Sequence, residues 1–175
     1  MDPRESALRL RPLTDADREQ ALCAHEELAA DGFEFLLDLR EGEPWEEHVR
    51  RHEGYRHGIG LPEGYVPATF LVAEVAGELV GRSSIRHELN DHLRQVGGHI
   101  GYGVRPAFRR RGHATEILRR SLEVLRPLGV PRALVTCDDD NTGSATVIER
   151  CGGRLENVVP VAGGAPKRRY WIDLA

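Results

Sequence analysis

GGHIGYGVRPAFRRRGHATEIL, residues 97–118, is the stretch of sequence that decides the fold. Residues 96–104 are predicted to form a strand, which Pro106 ends. Side chains alternate between the two faces of a strand. The two faces carry Ile100, Tyr102 and Val104 on one side and His99, Gly101 and Gly103 on the other. Glycine weakens a strand interior unless another group approaches the backbone closely, so the alternate glycines predict a ligand along their face.

The second half of this stretch is a basic loop that leads directly into a helix. Its residues are Arg109, Arg110, Arg111, Gly112, His113 and Ala114. A helix start presents unpaired N–H groups and the positive end of the helix dipole, which together bind anions. Gly112 and Ala114 let the backbone close on a phosphate, and the arginines supply countercharge. We therefore predict a phosphate site; the alternative is a solvated or nucleic-acid-binding arginine patch.

Two other phosphate loops are missing from the sequence. There is no GxxxxGK[ST], the loop of nucleoside triphosphatases, and no GxGxxG between a strand and a helix. The phosphate site is therefore predicted to belong to a different class of ligand.

Hydrophobic patterning predicts further elements on both sides of the central stretch. The strongest is an amphipathic helix over residues 114–126, which Pro127 and Gly129 end. It is followed by a strand at 133–137, a helix at 144–151 and strands at 154–160 and 168–174. The earlier part predicts a strand at 6–13, helices at 14–30 and 45–52, a hairpin of residues 69–75 and 79–86, and a helical turn at 90–94. Residues 53–67 are rich in Gly and Pro and predict a long loop at the substrate site.

Strands and helices alternate only in the second half of the chain, which predicts a mixed sheet. We expect an α/β fold with a strongly twisted sheet of six or seven strands and helices on both faces. The 175 residues fit one domain, residues 1–175, with a core that needs no metal or disulfide.

Composition narrows the function classes. A formal charge of −4 and a pI near 6.1 argue against a general nucleic-acid binder. No apolar run approaches the length of a membrane span, and the first residues, MDPRESALRLRP, lack a signal-peptide core. The three cysteines, Cys23, Cys137 and Cys151, form no CxxC pair, which predicts a reduced, cytoplasmic protein.

Two motifs resemble those of a known family. The pattern RxxGxA at residues 109–114, after a strand and VxP, resembles the acyl-CoA pyrophosphate loop of the GNAT superfamily of N-acetyltransferases. Asn141 and Ser144, at the start of a helix that ends in Gly152-Gly153, are similar to the family's second cofactor motif. The combination RHELND…GGHIGYGVRP…RRRGHATE…CDDDN…GG…RYWIDL resembles a little-characterised bacterial branch of predicted acetyltransferases.

The resemblance implies a mainly antiparallel sheet that is splayed at the site of acetyl-CoA. The main chain of Tyr102, Gly103 and Val104 would bind the pantetheine arm, and a backbone N–H near Val104 would polarise the thioester carbonyl. The pyrophosphate would lie on the amides of Arg109, Arg110, Arg111, Gly112, His113 and Ala114. Asn141, with Ser144, would steady the pantetheine. A neutral primary amine would then attack the thioester directly, without an acyl-enzyme.

The catalytic residues depart from the family pattern. Ile148 stands where many members carry a tyrosine that protonates the departing thiolate. His99 stands where many relatives have a glutamate base; an imidazole could serve at neutral pH, and a hydrogen bond to a neighbouring strand is the alternative. Tyr102 is expected to pack in the core, with proton donation as its alternative role.

The acceptor site is predicted at Arg86, His87 and Asn90, which follow the hairpin where substrate often sits in this fold; a solvated turn is the alternative. The expected acceptor is a primary amine of a small molecule or peptide, with no nucleic-acid or membrane partner, and a homodimer stays open. The alternative function is a catalytically degenerate acyl-CoA-binding sensor, and transfer of a larger acyl group is a third possibility.

No metal site is expected. Residues 138–149 match the spacing of a calcium loop, but a strand precedes them where a calcium hand needs a helix. His48 and His52 are four residues apart on a predicted helix but do not form HExxH. Cys137 has no visible His–acid partner and is interpreted as structural.

Overall fold

The computed structural model describes residues 7–175, so Ser6, the first residue of the first predicted strand, lies outside the described residues. Within them there are five α-helices: α1 (Arg18–Ala29), α2 (Trp45–Arg56), α3 (Asp91–Gln95), α4 (His113–Leu125) and α5 (Thr142–Arg150). The strands are β1 (Arg9–Arg11), β2 (Ala68–Val75), β3 (Glu78–Arg86), β4 (Ile100–Val104), β5 (Arg132–Asp138), β6 (Arg154–Val159) and β7 (Lys167–Asp173). None of these helices is long and apolar enough to cross a membrane.

The strands form two sheets, ordered β1-β2-β3-β4 and β5-β7-β6. Within each sheet, every pair of neighbouring strands is antiparallel. The sheets meet where β4 begins: the His99 backbone N–H donates to the Leu134 carbonyl at 2.7 Å. Beyond that point β4 and β5 share no ladder among the described strands. The α/β fold predicted from the sequence, with six or seven mainly antiparallel strands splayed at one place, is therefore confirmed. The single mixed sheet that was expected is instead a pair of sheets whose described ladders are all antiparallel.

Helices cover both faces of the first sheet. The amphipathic α4 buries Ile117, Leu118 and Leu125 completely, which stabilises the fold by roughly 1.5–3 kcal/mol for each side chain. Leu118 and Leu125 share one core cluster with Ile85 of β3 and Ile100 of β4. On the opposite face, residues of α1 and of the segment after it pack against β2. This second cluster includes Ala24, Leu28, Phe35, Leu36, Phe70 and Val72.

The first strand, predicted over 6–13, is shorter, and the helix predicted over 14–30 begins at Arg18. Two further predicted boundaries are wrong and bear on the site. The helix predicted over 45–52 continues to Arg56, because Tyr55 is buried and its hydroxyl donates to Asp38 Oδ2 at 2.6 Å. The long loop therefore begins at residue 57. The strand predicted over 96–104 begins only at Ile100, because Gly97 and Gly98 adopt φ values of +96° and +61°. A Cβ on Gly98 would lie 2.4 Å from the Leu134 oxygen, so only glycine allows β5 to approach this turn.

Candidate active site

One edge of β4 is free to bind a ligand through its main chain. Arg86 N donates to His99 O at 2.7 Å and Arg105 N donates to Val80 O at 2.8 Å, so the odd-numbered residues of β4 bond to β3. In an antiparallel pair the intervening residues point their N–H and C=O groups the other way. The main-chain groups of Tyr102 and Val104 therefore face the gap between the two sheets.

This edge lines a cleft of about 980 Å³, at the upper end of the range for small-molecule sites. The cleft also receives Phe33 from the segment between α1 and α2, the start of α4 and the start of α5. It brings together most of the predicted cofactor residues, namely Tyr102, Gly103, Val104, Arg109, Arg110, Gly112, His113, Ala114, Asn141 and Ser144. Arg111 is not among the lining residues, and its guanidinium lies 5.7 Å from the centre of the Phe108 ring.

The start of α4 has the geometry of an anion site. Gly112 is the N-cap with φ +82°, and the Glu116 N–H makes the first helical bond, to the Gly112 carbonyl at 3.2 Å. The N–H groups of His113, Ala114 and Thr115 thus precede the helical ladder. A Cβ on Gly112 would meet no heavy atom within 4 Å and would project into free space beside these amides. A pyrophosphate group fits this cradle, and a larger side chain would fill it.

The three arginines of the loop do not act alike. Arg109 donates to Asp31 Oδ2 at 2.6 Å and to the Val104 carbonyl at 3.2 Å, so it holds the loop to β4 and to the segment that follows α1. Arg110 lines the cleft and has a φ of +60°. Burial, and secondly the charge of Arg111, lower the pKa of His113, so this imidazole is neutral at neutral pH. Countercharge for a phosphate comes mainly from the helix end and Arg110.

The start of α5 closes the other side of the cleft. Asn141 Oδ1 accepts the Ser144 N–H at 3.0 Å, which caps the helix and directs the amide group along the cleft wall. The Ser144 hydroxyl lies 2.9 Å from the Tyr102 hydroxyl. Burial raises the pKa of Tyr102 well above its usual range, so this phenol keeps its proton. Tyr102 is partly buried against the core cluster and also presents a polar end to the cleft.

Ile148 has no access to the cleft. It is fully buried, and a Cβ on Gly153 would lie 2.5 Å from its Cγ2 atom. Ser144 precedes it by one helical turn, so the Tyr102 hydroxyl reaches α5 one turn away from the position of the family's usual acid.

His99 was predicted either to act as a base or to form a hydrogen bond with a neighbouring strand. The structure shows that hydrogen bond. The ring is buried, and its Nδ1 accepts the Leu134 N–H at 2.9 Å. Burial, and secondly the charge of Arg86, lower its pKa to about 4. The neutral ring must then carry its proton on Nε2, which leaves no free lone pair to accept a proton from an amine. This geometry favours the structural role.

The three predicted acceptor residues do not converge. His87 Nε2 lies 2.7 Å from the Thr69 hydroxyl. Asn90 caps α3 through its Oδ1 and donates from Nδ2 to the Gly64 carbonyl at 2.9 Å, which holds the long loop. Arg86 lies on the same face of the sheet as Gly101, since Arg86, Ser84 and Arg82 alternate along β3.

Phe33 and Arg82 also lie on this face, and neither was predicted from the sequence. A Cβ on Gly103 would lie 2.5 Å from the Phe33 ring, so the bare face of Gly103 is filled by Phe33. The prediction that a ligand lies along the glycine face is therefore wrong at Gly103. The signal for Arg82 was available, because it is a charged residue at an inward position of a strand.

The other candidates carry structural roles. Asp138 pairs with Lys167, and Asp139 pairs with Arg168 at 2.7 Å, so both acids bind the end of β7. Across residues 7–175, no group of three or more His, Cys, Asp and Glu side chains could hold a metal ion. Cys137 is buried, and burial raises the pKa of its thiol.

Comparison with known proteins gives one family. Residues 7–154 match the model of the acetyltransferase (GNAT) domain. The chain is 30% identical over 117 residues to a mycothiol acetyltransferase of Streptomyces avermitilis, a match of 66% of this chain and 30% of that protein. It is 34% identical over 84 residues to an acetyltransferase of Photorhabdus laumondii, a match of 48% of this chain and 55% of that protein. The matched residues thus span 30% of the first relative and 55% of the second.

Solved structures share the fold. RimJ of Mycobacterium smegmatis, in complex with CoA-disulfide, aligns with a TM-score of 0.67 at 22% identity over 97% of this chain and 83% of that chain. The Microcin C7 self-immunity acetyltransferase MccE, in complex with acetyl-CoA and AMP, aligns with a TM-score of 0.66 at 17% identity over 95% and 92%. Acetyl-CoA is the cofactor of such domains, and with its matching domain, fold and cleft the chain belongs to the GNAT acetyltransferase family.

Proposed function

We propose that this chain is an acetyl-CoA-dependent N-acetyltransferase that acetylates a primary amine of a small molecule or peptide. One observation carries the proposal: a single cleft is lined by the open edge of β4, by the free N-terminus of α4 and by the Tyr102–Ser144 pair. An elongated ligand with a phosphate end and a reactive end matches that arrangement.

Each residue has a physical task in this proposal. Acetyl-CoA, when bound, supplies a thioester that an amine can attack directly. The α4 amides and Arg110 hold its pyrophosphate, and the main chain of Tyr102 and Val104 orients the pantetheine arm. The N–H of Val104 points into the gap and can stabilise developing negative charge on the carbonyl oxygen. The Tyr102 phenol, which stays protonated, gives its proton to the departing sulfur.

The amine must lose its proton by another route than His99, because the lone pair of Nδ1 is already bound to the Leu134 N–H. We propose that the amine binds in its neutral form and releases its proton to solvent. The rate would then rise with pH according to the acceptor's own pKa.

The domain count, the location and the oligomeric state also belong to what we propose. We keep one domain over residues 1–175, a cytoplasmic location that rests on the free cysteines Cys23, Cys137 and Cys151, and a homodimer as predictions.

The test is release of free thiol from acetyl-CoA in the presence of a panel of primary amines, beside direct measurement of acetyl-CoA binding. We expect thiol release that depends on both acetyl-CoA and one class of amine. Micromolar acetyl-CoA binding with no thiol release from any amine would support the acyl-CoA sensor instead. Faster release from propionyl- or butyryl-CoA would assign a larger acyl group.

A further inference from the structure

Two arginines lie side by side on the face of β3 opposite α4. Arg82 is buried and donates to three carbonyls, those of Phe35 at 3.1 Å, Glu34 at 2.6 Å and Gly101 at 3.0 Å. Its guanidinium also lies 4.3 Å from the centre of the Phe33 ring. Burial, and secondly the charge of Arg86, lower the pKa of Arg82 to about 9, so it stays charged at neutral pH. Arg82 thus forms a fixed, positively charged wall.

Arg86 has fewer hydrogen-bond partners for its guanidinium group than Arg82 has. Its Nη1 donates to the carbonyls of Gly97 at 3.1 Å and Gly98 at 3.4 Å. Its Nε and Nη2 have no hydrogen-bond partner among residues 7–175, and no carboxylate in that range lies within 4.0 Å of Arg82 or Arg86. Within residues 7–175, the side-chain atoms that are shielded from solvent and have no hydrogen-bond partner are His48 Nε2 and Arg51 Nε. The unpaired nitrogens of Arg86 are not among them, so solvent can reach these nitrogens.

The surroundings add positive rather than negative charge. Arg94 acts electrostatically on the neighbouring His99, and His99 itself is neutral at neutral pH. Glu34 is the acid that acts on Arg82, but its Oε1 accepts the Asp38 N–H at 3.2 Å. Burial of a charged group without a charged partner is unfavourable, and a bound anion would offset that cost.

Gly101 lets the two guanidinium groups pack against the backbone of β4. A Cβ on Gly101 would lie 3.5 Å and 3.6 Å from the two Nη atoms of Arg86 and 3.8 Å from Nη1 of Arg82. The missing side chain leaves both guanidinium groups beside bare backbone. Gly101 precedes Val104 by three residues, so this face lies on the order of 10 Å along the strand from the N–H proposed for the thioester carbonyl.

We propose that Arg86, backed by Arg82, binds a carboxylate of the acceptor, so that the substrate is an amine that also carries a carboxylate several bonds away. This inference rests on the proposed function and names the substrate class of a subsite that adjoins the cleft at Tyr102 and whose two arginines do not line the cleft itself. A guanidinium suits a carboxylate because its N–H donors form two parallel hydrogen bonds with the two oxygens. A role confined to holding the Gly97–Gly98 turn would use Nη1 alone.

The experiment compares pairs of amines that differ only in charge. The common L-amino acids, β-alanine, γ-aminobutyrate and ε-aminocaproate are each assayed beside their carboxamides with wild type, Arg86→Gln and Arg86→Lys. We expect wild type to favour the best acid over its carboxamide by tenfold or more in kcat/KM. In Arg86→Gln that preference should disappear, and Arg86→Lys should recover part of it. Arg119→Gln, which removes an exposed arginine of α4, serves as the charge control.

Two further measurements separate the possible failures. Acetyl-CoA affinity and the melting temperature of each variant show whether Arg86→Gln folds and keeps its cofactor site. Binding of the N-acetylated acid and its carboxamide in the presence of coenzyme A tests the anion site without turnover. Equal use and equal binding of acids and carboxamides by wild type would overturn the inference while leaving the acetyltransferase intact. Acid-selective binding without any thiol release would overturn the proposed function and keep the anion site.

Discussion

The two sides of β4 are built by different means. On the side of the gap, the site consists of main-chain N–H and C=O groups of Tyr102 and Val104 and of the first amides of α4. On the face of the sheet opposite α4, the site consists of the long side chains of Arg82, Arg86 and Phe33. Phe33 is far in sequence from the two arginines. The first side can bind the same ligand in any protein that forms the same strand and helix start. The second side depends on which side chains stand at these positions, and it is where we propose that specificity for the acceptor lies.

This difference has an energetic consequence. Helix termini and strand edges leave unpaired groups wherever they occur, so the cofactor side requires no buried charge. The proposed acceptor side holds one buried and one partly buried guanidinium group with carbonyl partners only, which is unfavourable unless a ligand completes it.

The largest expected effect breaks the cofactor side. Gly112→Val places a branched side chain in the space beside the α4 amides and forces a β-branched residue to a φ of +82°. We expect acetyl-CoA affinity to fall about a hundredfold or more, equivalent to about 2.7 kcal/mol, as measured by calorimetric titration. The acceptor face should keep its binding of the N-acetylated acid.

Gly129→Val is the matched control, because Gly129 has a φ of +75° and also has nothing within 4 Å of a Cβ. It should cost a similar amount of stability and leave acetyl-CoA affinity unchanged. An unchanged affinity in Gly112→Val would remove the phosphate site from this loop.

The second largest effect tests whether Tyr102, which lies on the gap side of β4, takes part in catalysis as well as in cofactor binding. Tyr102→Phe removes the hydroxyl that lies 2.9 Å from Ser144 and leaves the packed ring in place. If the phenol protonates the leaving sulfur, kcat should fall about a hundredfold while acetyl-CoA affinity changes little. Steady-state kinetics of thiol release measure this, with Tyr65→Phe on the exposed loop as the control. A loss smaller than threefold would leave protonation of the thiolate to water.

The smallest effect concerns His99, which joins the two sides where the sheets meet. Its pKa is about 4 in the folded protein and about 6.5 in an unfolded chain, so the unfolded state binds more protons between those values. Stability should therefore fall as pH falls from about 6.5 to 4, by at most about 1.4 kcal/mol per pH unit from this group. His52, whose pKa burial also lowers to about 4, contributes in the same direction.

Urea unfolding at several pH values measures this slope in wild type, His99→Asn, His99→Ala and the exposed control His57→Asn. His99→Asn keeps an acceptor for the Leu134 N–H and should flatten the slope with little loss of stability at neutral pH. His99→Ala leaves that N–H unpaired and should cost about 1–3 kcal/mol. If His99→Asn instead abolished a limb of the pH–rate profile, the base role would return.

Much of the fold was predictable because local sequence patterns, such as turn residues, helix caps and amphipathic periodicity, indicate it. The hairpin at Ala76 and Gly77, the amphipathic α4 and the Asn141 cap all formed within a residue or two of the predicted bounds. The predicted helix over 45–52 ended too early, because the burial of Tyr55 depends on Asp38, seventeen residues away. The strand start at Ile100 depends on how closely β5 approaches Gly98. Distant partners of this kind leave no local signal.

The sequence by itself determined the strand, the glycine N-cap and the helix start of the proposed cofactor side, because these are local features that a short motif encodes. It also determined the family and the absence of the usual tyrosine at Ile148. Only the tertiary structure decided what lies across β4. Phe33 fills the face of Gly103, Arg82 and Arg86 meet beside Gly101, and His99 gives its lone pair to Leu134. These contacts join residues far apart in the chain, and their energies depend on burial that exists only once both sheets and the helices have packed.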